Sequence, residues 1–240
     1  MLKDVVGKAV ADGYNVVIFP EGKRTDCRIE RFHKGAFYLA QETGADILPA
    51  YIHGTGHVMP KGSGFASRGE VYVEVGKRIP AAEVSALGST HQEMASRFHS
   101  EYVRHFAEIR RKVETTHYFH HYIIAKYTYK GIGIEKETRR MLSEHDDFSR
   151  LIDGYEPSEP GETVSVVNAG NGQFPLLFAL VHPKTEVRSY ASDADAVALA
   201  AACEPLPPNL HVHYAESEAA AMKAAEGTRV INLAAVLAAK

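Results

Sequence analysis

Val164-Ser165-Val166-Val167-Asn168-Ala169-Gly170-Asn171-Gly172-Gln173-Phe174 decides the fold of the second half of this chain. The run 164–167 is short and rich in β-branched residues. The Pro/Gly/Glu cluster 155–161 precedes it and the two glycines follow it, so it reads as a strand. A helix is expected over 175–181. Strand, Gly-x-Gly turn and helix is the geometry in which backbone N–H groups can approach a ligand closely, and a purely structural turn accounts for the two glycines as well. Further out, strands are expected at 186–190, 211–214 and 229–233, separated by helices, the first at 194–203. That alternation predicts a parallel sheet with right-handed crossovers. Upstream, 135–151 reads as a charged helix and 116–131 as an aromatic, His-rich connector. The character of the chain changes near residue 115, which predicts two domains, 1–115 and 116–240.

The first half has a different pattern. Residues 1–13, 33–43 and 90–113 carry apolar side chains at helical spacing, the last with Met94, Phe98, Tyr102, Phe106 and Ile109 on one stripe. Gly44 is expected to end the second of these helices. Residues 16–19, 46–52 and 71–75 read as strands, the first as a buried one. That first run stops at Pro20-Glu21-Gly22-Lys23-Arg24-Thr25. Pro20 and Gly22 fix a tight turn, so the polar groups are aimed. Arg24 presents a planar fork suited to phosphate or carboxylate. Phe32-His33-Lys34-Gly35 then opens a helix, whose free N–H groups favour an anion. The plainer alternative is a strand end capped by an exposed Glu21–Arg24 pair, a common and weak feature.

Phe19-Pro20-Glu21-Gly22-Lys23-Arg24-Thr25 resembles the Phe-Pro-Glu-Gly-Thr-Arg-Ser motif of glycerolipid acyltransferases, the 1-acylglycerol-3-phosphate acyltransferase family. Phe32 and Lys34-Gly35-Ala36 sit at that family's helix start, and Ile47-Leu48-Pro49-Ala50-Tyr51-Ile52 is similar to its Val-Pro-Val strand. His53-Gly54-Thr55 and the segment 71–79 continue the match in order, over about residues 1–112. The resemblance implies an acceptor site for a lysophospholipid or glycerol phosphate. Glu21 and Arg24 would be its main residues, with Gly22, Lys23, Thr25, Lys34 and Gly35 beside them and Pro49 shaping the pocket floor. It also implies acyl transfer from acyl-CoA or acyl-carrier protein, with no further cofactor required.

In that family a His acts as general base, oriented by an Asp five positions later. None of the 13 histidines here has Asp at that spacing. His53 and His57 follow a different strand and read as loop histidines. The expectation is therefore that the chain begins inside an acyltransferase domain, that it holds no catalytic residue of the reaction, and that alone it has no acyltransferase turnover.

The segment around Asn168 is similar to class I S-adenosylmethionine-dependent methyltransferases, in truncated, Rossmann-like form. That likeness names Asn168, Gly170, Gly172 and Asp193 as cofactor-binding candidates. The departures argue against the cofactor. Asn168 replaces an acid and Phe174 a glycine, where a bulky ring is expected to obstruct. Ala191 stands at the ribose-binding acid, and Ala234–Ala235 near a further one. S-adenosylmethionine stays open on the sequence, as do methyltransferase activity and a non-catalytic lipid-binding role. Residues 126–131 are similar to the lead-in of methyltransferase domains in bacterial exporter/acyltransferase/methyltransferase fusions. This implies a place at a membrane surface, on the cytoplasmic face of the inner membrane.

Bulk properties bound these readings. The fold class expected is α/β, an acyltransferase-like α/β part followed by a Rossmann-like parallel sheet. The net charge of −3 speaks against bulk nucleic-acid binding. Cys27 and Cys203 are too distant in sequence for metal spacing and fit a reducing compartment. His117, His120 and His121 share a helix face but have no Cys or carboxylate beside them, so no metal is expected.

Overall fold

The computed structural model describes residues 2–25, 28–62, 64–144 and 146–239. Met1 and Cys27 lie outside the described residues. The chain divides into two compact units, residues 1–113 and 114–240, in a mixed α/β architecture.

In the first unit, α1 (Leu2–Ala11) is followed by α2 (Gly35–Thr43), β1 (Ala50–His53), the short α3 (Thr55–Val58), β2 (Tyr72–Val75), α4 (Ala81–Val84) and α5 (His91–Val113). Gly44 ends α2 in the left-handed conformation, φ 64°, as the sequence predicts. β1 and β2 pair antiparallel, Ala50 opposite Val75 and His53 opposite Tyr72. The period-2 pattern turns Tyr51 and His53 inward and leaves Ile52, Val73 and Val75 exposed.

The run 16–19 is not a strand. It is irregular, and Val17 and Phe19 are 80% and 69% exposed. No strand lies beside it among the described residues. β-branched apolar residues favour a strand only where a neighbour supplies the hydrogen-bond ladder, and no strand among the described residues supplies one to this run.

α5 organises this unit. Met94, Ala95, Phe98, Phe106 and Ile109 form its buried stripe. Phe32, Phe37 and Val84 pack on the first part of that stripe and Tyr51 on the second. Phe32 comes from irregular chain just ahead of α2, yet it is 2% exposed and meets the rings of Phe98, His99 and Tyr102 at 6.2, 5.1 and 5.2 Å.

The second unit begins with α6 (Thr116–Tyr127), α7 (Ile132–Glu144) and α8 (Asp146–Asp153), and the described residues of the expected helix 135–151 are helical. Then β3 (Thr163–Val167), α9 (Gln173–Val181), β4 (Glu186–Ala191), α10 (Ala194–Ala201), β5 (Leu210–Tyr214), α11 (Glu218–Ala224), β6 (Arg229–Asn232) and α12 (Leu233–Ala238) alternate. The sheet is parallel throughout in the order β5-β4-β3-β6. β3 is central and buried on both faces, and the hydroxyl of its buried Ser165 accepts a hydrogen bond from Thr228 at 2.7 Å. α9 is apolar all round because the sheet lies on one side and α6 and α8 on the other. Asn209 donates from its buried amide to the carbonyls of Ala179, His182 and Thr185, joining the end of α9 to the start of β5.

Half-buried carboxylates of the first unit tie its elements together. Glu74 is held below its ordinary value of 4.5 first by the hydrogen bond from His105 of α5, 2.6 Å away, and then by the Tyr72 hydroxyl. Asp46 is lowered first by the backbone N–H of Ala81 and then by Arg78. Groups depressed in the folded state contribute stability that is present above their unfolded pKa and lost as pH falls through the folded one. The urea midpoint of the first unit should therefore be flat above about pH 5 and fall progressively below it. Glu74→Gln should flatten that fall; an unchanged acid limb would show that this contact carries no part of it.

Candidate functional site

The turn that follows the 16–19 run is closed by the N–H of Gly22 donating to the Phe19 carbonyl at 3.1 Å. Gly22 has φ 69°, and a Cβ there would stand 3.1 Å from Cδ2 of His33. Glycine is required both by that backbone conformation and by the imidazole lying over it. The N–H of His33 donates to the Pro20 carbonyl at 2.8 Å, so the two ends of the loop 20–33 are bonded to each other next to the Phe32 anchor.

Glu21 faces into this loop. Its Oε2 accepts the backbone N–H of Glu30 at 2.9 Å, while the Glu30 carboxylate is 3.7 Å from the Lys23 ammonium. Arg24 leaves the loop and donates from Nη2 to the carbonyl of Met59 at 2.7 Å, just past α3. The anticipated Glu21–Arg24 pair is not what holds either side chain: each is fixed by backbone. Arg24 is exposed, and one bond to one carbonyl leaves most of its five-donor fork for a ligand. Thr25 donates to the Arg28 carbonyl at 2.5 Å. Lys34 sits at the N-cap of α2, exposed and without a capping side-chain bond, and Gly35 opens the helix in open space.

Pro49 is buried at the entry to β1. A Cβ on Gly76 would meet it at 3.3 Å, and its carbonyl accepts the Gly76 N–H at 2.8 Å. One further residue belongs here, Tyr102 of α5. Its hydroxyl donates to the Ala50 carbonyl at 2.9 Å, and its ring stacks on Tyr51 at 4.4 Å and meets Phe32. Burial pushes its pKa up to about 12, with smaller contributions from Tyr51 and from the charge of Glu21. Tyr102 thus links the Glu21 turn to the Pro49–Ala50 entry. The sequence placed it only on the apolar stripe of α5. His53 is buried at the end of β1, its ring 5.5 Å from Phe106 and 5.9 Å from His57.

The second candidate lies at the carboxyl end of β3. Asn168 has φ 58°, and its amide donates to Asn232 Oδ1 at 3.0 Å. Gly170 has φ 53° with open space around it. Gly172 has φ 82°, but a Cβ on it would stand 2.6 Å from Cβ of Ala200, so it serves close packing of α10. Asn171 receives the Tyr127 hydroxyl on its carbonyl at 2.8 Å and donates to Glu137 at 3.3 Å. Phe174 does not obstruct the turn: its ring packs on Phe148 at 5.1 Å, in the core beneath α9. Asp193 caps α10 by accepting the N–H groups of Asp195 and Ala196. In α6 the rings of His120 and His121 are 6.1 Å apart, and no metal-holding group of three or more ligands converges among the described residues.

Residues 2–53 match the family model described as Acyltransferase. The chain is 41% identical over 73 residues to a 1-acyl-sn-glycerol-3-phosphate acyltransferase of Chlamydomonas reinhardtii, 30% of this chain and 22% of that protein. It is 41% identical over 80 residues to a chloroplastic enzyme of the same name from Brassica napus, 32% of this chain and 23% of that one. The human 1-acyl-sn-glycerol-3-phosphate acyltransferase beta is 33% identical over 105 residues, 41% and 38% of the two chains. The chain thus spans less than a quarter of the length of the first two relatives. No solved structure matches it significantly.

Glu21→Ala removes the acceptor for the Glu30 N–H. The expected cost is about 1 kcal/mol, hence roughly fivefold faster amide exchange at Glu30. Unchanged exchange there would show that Glu21 does not hold the loop.

Proposed function

We propose that the first unit carries the acceptor site of a glycerolipid acyltransferase, and that the whole protein transfers an acyl group to a lysophospholipid or glycerol-phosphate hydroxyl. The observation that carries this reading is Arg24. Its guanidinium is fixed by one backbone carbonyl, rises from a loop bonded end to end, and is otherwise open to solvent. Such a group binds a phosphate monoester by paired, charge-assisted hydrogen bonds. Lys23 adds positive charge, Glu21 holds the turn and offers a carboxylate to glycerol hydroxyls, and Gly22 keeps it tight. Thr25, Lys34 and Gly35 line the same segment, with Pro49 and Tyr102 behind it. The names of the relatives support an acyl-glycerol-phosphate acceptor.

The donor in this reading is a thioester, acyl-CoA or acyl-carrier protein, and no additional cofactor enters the reaction. Exposed Val17, Phe19, Ile52, Val73 and Val75 offer apolar surface to a lipid acceptor and to the bilayer that contains it. No described helix is long and apolar enough to cross a membrane. In this reading the exposed apolar side chains meet the cytoplasmic face of the inner membrane. The acyl-transfer base is not assigned to any residue of the chain, since none of its histidines has the aspartate spacing.

The test is equilibrium binding of 1-acyl-glycerol 3-phosphate to the chain below its critical micelle concentration. Arg24→Ala should weaken binding about 10- to 100-fold, the effect of a lost hydrogen bond to a charged group. Arg24→Lys should recover only part of it. Equal affinity in wild type and Arg24→Ala would remove the proposal.

A further inference from the structure

We infer that the second unit, a parallel sheet whose turn after β3 resembles that of methyltransferases in sequence, holds no S-adenosylmethionine site, because the crevice where a ligand would lie is tied across by its own side chains. In an open parallel sheet that crevice lies at the carboxyl ends of the strands where the strand order reverses. Here the chain runs outward from β3 through β4 to β5 and then returns to place β6 on the other side of β3. The reversal therefore falls between β3 and β6.

Three side chains span that point. Asn168, directly after β3, donates to Oδ1 of Asn232, the last residue of β6, at 3.0 Å. Asn232 donates in turn to Oε1 of Glu218, the first residue of α11, at 2.7 Å. Oδ1 of Asn232 also accepts the N–H groups of Ala234 and Ala235, closing the N-terminus of α12 from within. The carboxylate of Glu218 is satisfied by these amides, and its pKa is lowered first by Asn168 and then by Asn232.

The groups that grip a nucleoside are likewise missing or engaged. At the end of β4 the position suited to a ribose-binding carboxylate is Ala191, buried, with its carbonyl taken by the N–H of Ala215. The nearest carboxylate, Asp193, is turned back onto α10. Of the two glycines, only Gly170 faces open space; Gly172 is filled by Ala200. The loop geometry is kept and the ligand contacts are replaced by internal ones, which rigidify the end of the sheet.

The experiment has two arms. The full chain, shown to be folded by a cooperative melt, is titrated with S-adenosylmethionine and S-adenosylhomocysteine. No saturable heat and no amide shifts at 168–172 or 191–195 are expected up to about 1 mM ligand. Saturable binding below that concentration with shifts at those amides would overturn the inference. In the second arm Glu218→Ala should speed amide exchange at 168 and 232 about tenfold or more, as expected when charge-assisted bonds are lost. Unchanged exchange there would show that these side chains do not tie the crevice.

Discussion

Phe32 is the contact on which the candidate site depends. It lies in irregular chain, and such chain has no repeating hydrogen-bond ladder to fix it. Its ring is nevertheless buried among Phe98, His99 and Tyr102 of α5. Burial of a phenylalanine side chain is worth on the order of 2 kcal/mol, enough to order a loop whose ends are already bonded. The next residue, His33, both covers Gly22 and bonds the Pro20 carbonyl. One apolar anchor therefore sets the height and direction of the whole Pro-Glu-Gly-Lys-Arg turn. Glu21 then locks the loop internally, and Arg24 is left pointing outward.

The second unit obeys a different constraint. Its central strand is buried on both faces, so helices must cover both sides, and the connections between parallel strands supply them. The turn after β3 is joined through Asn168 to Asn232 at the end of β6, and Asn232 is joined to Glu218. A fold and a ligand site are separable properties, and the packing rules are met by the fold alone.

The parallel sheet was legible because its signals are strong and local: short apolar runs, glycine turns and helices at regular spacing. Its strands stand within one or two residues of expectation. The helix over 135–151 was legible from its charged, amphipathic pattern, and the described residues on both sides of position 145 are helical. The last strand was expected to run to Leu233; it ends at Asn232, which caps α12. The 16–19 run was misread for a physical reason: strand propensity describes a residue's fit to a neighbour, and the neighbour is not in the described sheet. At the site, Glu21 and Arg24 stood out from the turn chemistry. Their partners did not, because the Glu30 N–H and the Met59 carbonyl are backbone groups that any residue type supplies. Tyr102 looked like one more member of an apolar stripe, and its hydroxyl bond to Ala50 spans 52 positions.

The central claim is that the Pro-Glu-Gly-Lys-Arg turn, held by Phe32, is where a glycerol phosphate headgroup binds. Amide chemical-shift mapping with glycerol 3-phosphate tests it most directly, because it reports position independently of acyl chain and of turnover. The account predicts the largest shifts at residues 21–25 and 34–35, and their loss in Phe32→Ala protein that still folds. Shifts centred elsewhere, or shifts in the turn that survive Phe32→Ala unchanged, would contradict it.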